Sequence, residues 1–282
     1  MARADLAMRF DLILPLPLAC VAWLGGCKHN QSGTQKEANM IIFRDGDGRT
    51  LTMEDLREAT GTFRWEVIGG TAVPAGAELL HQQGREAGAA GNYKKALVLL
   101  ERASKLAPRW PYPVYDMAYT YLLTGDLDNA KTYYRKTIEL APRGFFTAIT
   151  ALDTLEREQK GDLPAGTYLA YLSLEWLDDR GKKAERLRLL VTEVPRFAPA
   201  WKELANILND DAGRIAAIEK GLAAAPDSET KGMLQINKAI ILERTGDRAG
   251  AIQLLGRLAL NPESTYGTEH LAKAALGLIA KK

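Results

Sequence analysis

The chain has 282 residues, 46% of them hydrophobic and 26% charged, a composition typical of a folded protein with a sizeable core. Lys and Arg total 37 against 35 Asp and Glu, and this formal net charge of +2 gives no electrostatic reason to expect nucleic acid as a partner. Both cysteines, Cys20 and Cys27, lie near the N-terminus. The rest of the sequence therefore excludes a disulfide, a thiolate metal cluster and a cysteine nucleophile.

The first 27 residues have the pattern of an export signal. Two arginines precede an almost wholly apolar stretch over residues 12–24, which is followed by two glycines. A stretch of about 13 apolar residues is shorter than the roughly 20 that a membrane-spanning helix needs, so cleavage is favoured over a retained helix. We predict a signal peptide over residues 1–27, with translation starting at Met1 or Met8.

The end of this signal resembles the lipobox of bacterial lipoproteins. The residues are Leu24-Gly25-Gly26-Cys27, and in that family the cysteine is diacylated and becomes the new N-terminus. The resemblance implies that Cys27 is lipidated and holds the protein to a lipid bilayer; ordinary secretion is the alternative. Cys20 fits less well because Pro17 stands where the lipobox has an aliphatic residue. The predicted location is the cell envelope, facing the periplasm or the cell exterior, and Lys28 in place of the aspartate of inner-membrane lipoproteins favours the outer membrane.

Two short regions follow the signal. Residues 28–39 are polar and without apolar periodicity, which predicts a flexible tether. Residues 40–70 predict a small mixed segment. Its expected elements, in chain order, are a strand at 40–43, a turn at 45–48, a helix over 51–59 and a strand over 63–68.

The Asp-Gly-Asp-Gly sequence at residues 45–48 raises a calcium-loop hypothesis. Counted from Asp45, the loop positions that require an oxygen ligand, a glycine and a bidentate glutamate hold Arg49, Thr50 and Leu56. We therefore favour a simple turn.

From residue 77 the same residue types recur at a spacing of 34. The matching pairs are Gly84 with Ala118, Gly91 with Gly125, Tyr93 with Leu127, Ala96 with Ala130, Leu100 with Tyr134, Leu106 with Leu140 and Pro108 with Pro142. Small residues let two helices approach closely, glycine allows a tight turn, and proline ends the second helix. On these residues, positions 77–144 resemble two copies of the tetratricopeptide repeat.

The repeat continues in a looser form to the C-terminus. Helices are expected over 146–160, 164–177, 182–193, 200–208, 212–224, 231–244 and 249–260, with a capping helix over 270–280. We count five hairpins and place the repeat domain at residues 75–281. The predicted fold class is all-α: a right-handed superhelix, or solenoid, of tetratricopeptide-like helical hairpins, preceded by a small N-terminal α+β segment.

The sequence offers little catalytic chemistry. Its three histidines, His29, His81 and His270, fall in the tether, the first hairpin and the cap, and neither a phosphate-binding loop nor a nucleophile elbow is present. The acid pairs at 178–179 and 210–211 fall at predicted turns, where solvated acids or helix caps are the ordinary explanation. We predict no enzyme activity, no cofactor and no metal.

Binding is better supported. In the repeat family, set positions of the first helix of each hairpin line the concave face, and here those positions hold Glu78, His81, Arg85, Tyr112, Tyr115 and Tyr119. Three tyrosines on one helical stripe suit the wall of a groove for an extended peptide. The alternative is that they pack against the N-terminal mixed segment.

A second set of residues resembles the carboxylate clamp with which some family members hold the C-terminal carboxylate of a peptide. It comprises Lys202, Asn206 and Asn237. A lysine and two amides suit that task because they offer charge and hydrogen-bond donors. The cap helix lacks the basic residues that complete the clamp, and three solvated side chains are the alternative.

The expected function is that of a membrane-anchored scaffold or adaptor that binds protein or peptide partners. Two alternatives stay open: an enzyme or enzyme subunit with a cleft between the mixed segment and the first hairpins, and a structural protein that self-associates.

Overall fold

The computed structural model describes residues 40–44, 50–51, 64–68, 73–177 and 179–280. The predicted signal peptide with Cys27, the tether, the turn at 45–48 and nearly all of the predicted helix at 51–59 lie outside these residues.

Three strands form an antiparallel sheet in the N-terminal segment. They are β1 (Met40–Arg44), β2 (Thr50–Leu51) and β3 (Arg64–Ile68), in the order β2–β1–β3. Met40 pairs with Ile68 across β1 and β3. Leu51, predicted to begin a helix, instead lies in β2 and pairs with Phe43 of β1. Leu51 is thus part of the sheet, where backbone pairing prevails over its helical spacing.

Helices make up the rest of the described chain. They are α1 (Ala75–Ala89), α2 (Tyr93–Leu106), α3 (Pro111–Leu123), α4 (Leu127–Leu140), α5 (Ala148–Lys160), α6 (Thr167–Ser173), α7 (Arg180–Glu193), α8 (Ala198–Ile207), α9 (Asp211–Ala223), α10 (Ser228–Arg244), α11 (Arg248–Leu260) and α12 (Tyr266–Ala280). Within these residues they form five hairpins, α1/α2, α3/α4, α5/α6, α8/α9 and α10/α11, with α7 between the third and fourth hairpins and α12 as the cap. The predicted solenoid of tetratricopeptide-like hairpins is confirmed.

The small residues of the repeat lie where the two helices of a hairpin touch. Ala96, Ala118 and Ala130 are fully buried. A Cβ added at Gly84 would stand 2.8 Å from Cγ of Leu100, so α1 and α2 approach at a distance that only glycine permits there. This is the contact that the 34-residue spacing predicts.

The turns within the hairpins are fixed by glycine and aspartate. Gly125 has φ of 77° after α3, in the left-handed region that side chains disfavour. The next residue, Asp126, caps α4 by accepting a hydrogen bond from the backbone N–H of Asn129. Asp179 and Asp210 cap α7 and α9 in the same way, so the predicted capping role of these acids is confirmed.

The third hairpin departs from the prediction. Instead of one helix over 164–177, α6 begins at Thr167, and a 3₁₀ turn (Leu174–Trp176) follows it. Gly166 has φ of 84°, which prevents the helix from starting earlier. The Glu158 carboxylate accepts hydrogen bonds from the backbone N–H groups of Gly166 and Tyr168, and these bonds fix the short helix against α5.

One apolar core runs through the second to fifth hairpins and includes the fully buried Tyr134, Phe197 and Leu234. A second cluster joins α10, α11 and the cap α12. No helix of the described chain has the length and apolar character required to cross a membrane.

The first helices of the hairpins face one another. Besides α1 with α3, contacts join α8 with α10 and α5 with α10. We call the faces that these first helices (α1, α3, α5, α8 and α10) turn toward one another the inner surface. Because α5 and α10 belong to hairpins that are not neighbours, their contact shows that the inner surface closes on itself in the later hairpins.

Candidate functional site

The first two hairpins bring two of the predicted binding residues to one acid. Nε2 of His81 lies 2.7 Å from Oδ2 of Asp116, a residue of α3, and Nε of Arg85 lies 3.8 Å from the same oxygen. His81 is buried, whereas the Arg85 side chain is 62% exposed. The pair of Arg85 and Asp116 therefore presents a charged and solvent-reachable edge on the inner surface. Asp116 was not predicted, because no sequence pattern relates it to a residue 35 positions away.

Aromatic rings surround this charged edge. The ring of His81 meets Trp110 edge-on at 4.8 Å between centroids, and Tyr112 meets Phe145 at 4.8 Å with the rings 86° apart. Phe146, which has a positive φ of 48°, lies 5.5 Å from Tyr112. Edge-to-face contacts of this kind contribute about 0.5–1.5 kcal/mol per pair beyond the area that they bury. The rings form a continuous apolar wall.

The three predicted tyrosines lie along one side of α3, as the stripe implied, and all are half-buried. The Tyr115 hydroxyl lies 2.9 Å from Oγ1 of Thr147, and burial raises the pKa of this phenol. Tyr119 packs against the main core. Part of each ring is thus committed to the fold, and their role in binding stays a prediction.

The predicted clamp residues are also brought together, on α8 and α10. The amide of Asn237 donates to Oδ1 of Asn206 at 2.8 Å, so the two amides already satisfy one another in part. Nζ of Lys202 lies 3.2 Å from Oε1 of Glu203. Burial by itself lowers the pKa of Lys202, but the Glu203 carboxylate, with Asp227 and Glu229 contributing, outweighs burial and raises it. A ligand carboxylate at this position would compete with an acid that the lysine already holds.

The contact between α5 and α10 is polar. Oγ1 of Thr150 donates to the Asp227 carboxylate at 3.0 Å, and the Thr150 N–H donates to Oε2 of Glu229 at 3.1 Å. Oε1 of Glu229 is buried without a hydrogen-bond partner. Burial, and next the charge of Asp227, raise the pKa of Glu229 well above its ordinary range. Sequence reasoning missed this contact because its members lie nearly 80 residues apart.

The cap contacts the same region, since a Cβ on Gly144 would lie 3.1 Å from Oε1 of Glu229 and 3.4 Å from Cβ of Thr265. The Tyr266 N–H donates to the carbonyl of Arg143 at 2.6 Å, and the Arg143 guanidinium donates to the carbonyl of Ser264 and to the Glu269 carboxylate. Arg143 follows the proline that ends the second hairpin. We call the residues of these contacts, together with those of the Thr150 contact, the closure: Arg143, Thr150, Asp227, Glu229, Thr230, Ser264 and Glu269.

A separate open cavity of about 450 Å³ lies between α7 and α9. Trp201 forms one wall, held by a hydrogen bond from its indole N–H to the carbonyl of Pro195 at 2.9 Å. Nζ of Lys220 lies 4.9 Å from the centre of that ring, and Arg196 is a second basic residue of the lining. The cavity is therefore apolar and basic, whereas the closure is rich in acids.

Within the described residues, no three or more His, Cys, Asp or Glu side chains are placed to hold a metal ion. The His270 ring lies 4.3 Å from the ring of Tyr266, and its Nδ1 lies 3.1 Å from that residue's carbonyl oxygen, so His270 serves the cap.

Several solved structures are similar to this chain, although no curated protein matches the sequence. Three of them are MamA (residues 41 to the end) from Desulfovibrio magneticus, the flexible tandem repeat domain of a bacterial cellulose synthase subunit, and a thermophilic TPR protein from Thermus thermophilus. Their identities are 17%, 16% and 18%, and their TM-scores 0.32, 0.44 and 0.32. The matches cover 66%, 70% and 71% of this chain, and 94%, 98% and 98% of the other. Residues 114–143, which span most of α3 and all of α4, match the family model of the tetratricopeptide repeat, and this match supports the repeat family expected from the 34-residue spacing.

Proposed function

We propose that this protein is a membrane-anchored scaffold or adaptor of the cell envelope, which binds a protein or an extended peptide on the inner surface of its first two hairpins. Tetratricopeptide repeats generally serve in protein interaction, and residues 114–143 carry such a repeat. The observation that carries the proposal is the charged edge of Arg85 and Asp116 set beside the aromatic wall of Trp110 and Tyr112.

This arrangement suits a peptide for physical reasons. Aromatic rings that are already packed lose little conformational freedom on binding, so they offer apolar contact area at low entropic cost. The Arg85 guanidinium and the Asp116 carboxylate supply a donor and an acceptor that can orient a peptide backbone or a charged side chain. Together they provide apolar contact with a polar means of fixing direction.

The test replaces Arg85 with a photo-crosslinking residue in cells that express the full chain. We expect covalent adducts from this position and none from Arg102, another exposed arginine, on α2. A photo-crosslinking residue at Glu78 serves as a second reporter and should give the same adduct. Arg85→Glu should reduce the recovery of that adduct tenfold or more, whereas Arg102→Glu should leave the recovery unchanged. Equal adducts from both arginine positions would mean that this surface is not the binding site.

The clamp belongs to the proposal as a finer hypothesis. If Lys202 grips a C-terminal carboxylate, Lys202→Ala should abolish a preference for peptides with free over amidated C-termini, measured by calorimetry. Peptides that bind equally well with either terminus to the unaltered protein would refute the clamp but not the adaptor. Glu203 beside Lys202 predicts that any such preference is weak.

The membrane anchor is tested separately. Two or three acyl chains, at about 0.8 kcal/mol per buried methylene, would hold the protein at a bilayer essentially permanently. Metabolic labelling with a palmitate analogue should mark the unaltered chain and the Cys20→Ala variant but not Cys27→Ala. Labelling that survives Cys27→Ala would reject Cys27 as the acylated residue.

A further inference from the structure

We propose that the closure is an intramolecular latch, which keeps the inner surface of the third to fifth hairpins covered by the chain's own α10 and cap, and whose release exposes that surface to a partner. This inference rests on the proposed function, because it specifies how access to the inner surface is regulated. It concerns a different part of that surface from Arg85 and Asp116.

The first reason is that the closure lies outside the ordinary contacts of a solenoid. In repeat proteins of this kind each hairpin packs on its neighbours, and those contacts account for stability. The contact of Thr150 with Asp227 and Glu229 joins residues that α6 to α9 separate in the sequence, and the bond between Arg143 and Glu269 joins residues 126 positions apart. The neighbouring hairpins would stay packed if this contact opened.

The second reason is its polar composition. Thr150 and Thr230, whose hydroxyls lie 3.4 Å apart across the contact, are both buried. A contact built from hydroxyls, carboxylates and one guanidinium can separate because water replaces its hydrogen bonds, whereas an apolar contact of equal size would expose hydrocarbon. Opening therefore costs less here than it would anywhere in the main core.

The third reason is that the closed state leaves one buried carboxylate oxygen without a hydrogen bond. Oε1 of Glu229 is buried with no hydrogen-bond partner, and it lies 3.1 Å from where a Cβ on Gly144 would stand. A buried oxygen without a donor disfavours the closed state, and opening would let water supply the donor. Arg143 joins the two sides of the closure, and its side chain is 41% exposed and within reach of a competing partner.

Release would expose the facing sides of α5 and α10, which cover one another in the closed state. Thr230, only 1% exposed in the closed state, lies in this contact with its hydroxyl 3.4 Å from that of Thr150. Lys202 and Asn206 lie on α8, which also contacts α10, and Asn206 is bonded to Asn237 there. The predicted clamp residues therefore belong to the surface that the latch controls.

The experiment uses thiol labelling of the full chain in detergent. The reporter is Thr230→Cys, which replaces a buried residue of the closure with one of similar size. The control reporter is Thr137→Cys, which is equally buried in α4, away from the closure, and reacts only when the whole domain unfolds. Mass spectrometry of the peptide that holds each introduced cysteine separates its labelling from that of Cys20 and Cys27.

We expect Arg143→Ala to raise the labelling rate of the Thr230→Cys reporter at least tenfold and to leave the Thr137→Cys reporter unchanged. Arg135→Ala, which removes a comparable surface ion pair with Glu156, should change neither rate. Glu269→Gln keeps the shape of the acid and removes its charge, so it should give the same selective effect if Arg143→Ala fails to fold.

Equal acceleration at both reporters would mean that the domain opens only as a whole, and no acceleration at either would mean that Arg143 does not hold the closure. Either outcome overturns the latch. Both are measured without a partner, so they do not depend on the crosslinking from Arg85. Failure of that crosslinking, with selective opening at Thr230→Cys intact, would reject the proposed function and leave the latch standing.

Discussion

Replacement of Gly232 by alanine tests how tightly the cap docks on α10. An added Cβ would stand 2.1 Å from Oγ1 of Thr268, 2.7 Å from its Cγ2 and 2.9 Å from its Cβ. Thr268 is almost fully buried, and its hydroxyl accepts a hydrogen bond from Thr265 at 2.8 Å, so it has no room to retreat. Overpacking of this kind costs about 1–3 kcal/mol, and loss of the hydroxyl bond adds about 1 kcal/mol.

Helix propensity works in the opposite direction. Alanine is favoured over glycine inside a helix by about 1 kcal/mol, so the net loss of stability for Gly232→Ala is about 1–3 kcal/mol. Gly256 in α11 is the matched control, because a Cβ there meets no atom of the described chain within 4 Å. Gly256→Ala should therefore stabilise the protein by about 0.5–1 kcal/mol.

Urea denaturation followed by far-UV circular dichroism gives both free energies of unfolding. The two variants should differ by about 1.5–4 kcal/mol, with the unaltered protein between them. If Gly232→Ala proves as stable as Gly256→Ala, the close approach of α10 and the cap is wrong, and the second core cluster does not pack as described.

Three further predictions concern buried or charged positions. Gly84→Ala should be less stable than Gly88→Ala by about 1–3 kcal/mol in the same denaturation assay, because only at Gly84 does a Cβ overlap Leu100. Tyr134→Phe should stabilise the protein by about 1 kcal/mol, as seen by a higher urea midpoint, because the Tyr134 hydroxyl is buried without a partner; a loss of stability would reveal a bonded hydroxyl. Hydrogen bonds from its basic partners lower the pKa of Glu269 from 4.5 to about 2, so its stabilising effect is present above pH 4.5 and is lost as the pH falls toward 2. In Glu269→Gln, the urea midpoint should depend less on pH between 4.5 and about 2 than it does in the unaltered protein. A variant whose midpoint depends on pH as steeply as that of the unaltered protein would contradict this assignment.

Local signals made the helical hairpins predictable. Glycines at turns, prolines after second helices and small residues at helix contacts each act within a few residues, so α7 to α11 begin and end within a few residues of the expected positions. The same signals misplaced the start of α6, because they do not report the left-handed backbone of Gly166 or the hydrogen bonds of the Glu158 carboxylate. The strand at Leu51 was missed for a similar reason, since pairing with Phe43 decides its conformation.

The candidate site was predictable only where its residues follow the spacing of a helix. The stripe of Tyr112, Tyr115 and Tyr119 could be placed on one side of α3 from helical spacing alone. The degree to which Phe145 and Thr147 bury these rings could not, because it depends on the loop before α5. The closure shows no periodicity at all, and contacts between residues about 80 to 126 positions apart leave no trace in local patterns.

The tie between Arg143 and the cap bears on how this chain can change in evolution. A linear array of hairpins gains or loses a unit easily, because each unit touches only its neighbours. Here the number of hairpins between Arg143 and Glu269 determines whether these two residues can meet. Insertion or deletion of one 34-residue unit would carry the two residues apart. We expect relatives that keep both residues to keep the same hairpin number, and relatives that lack them to vary in length.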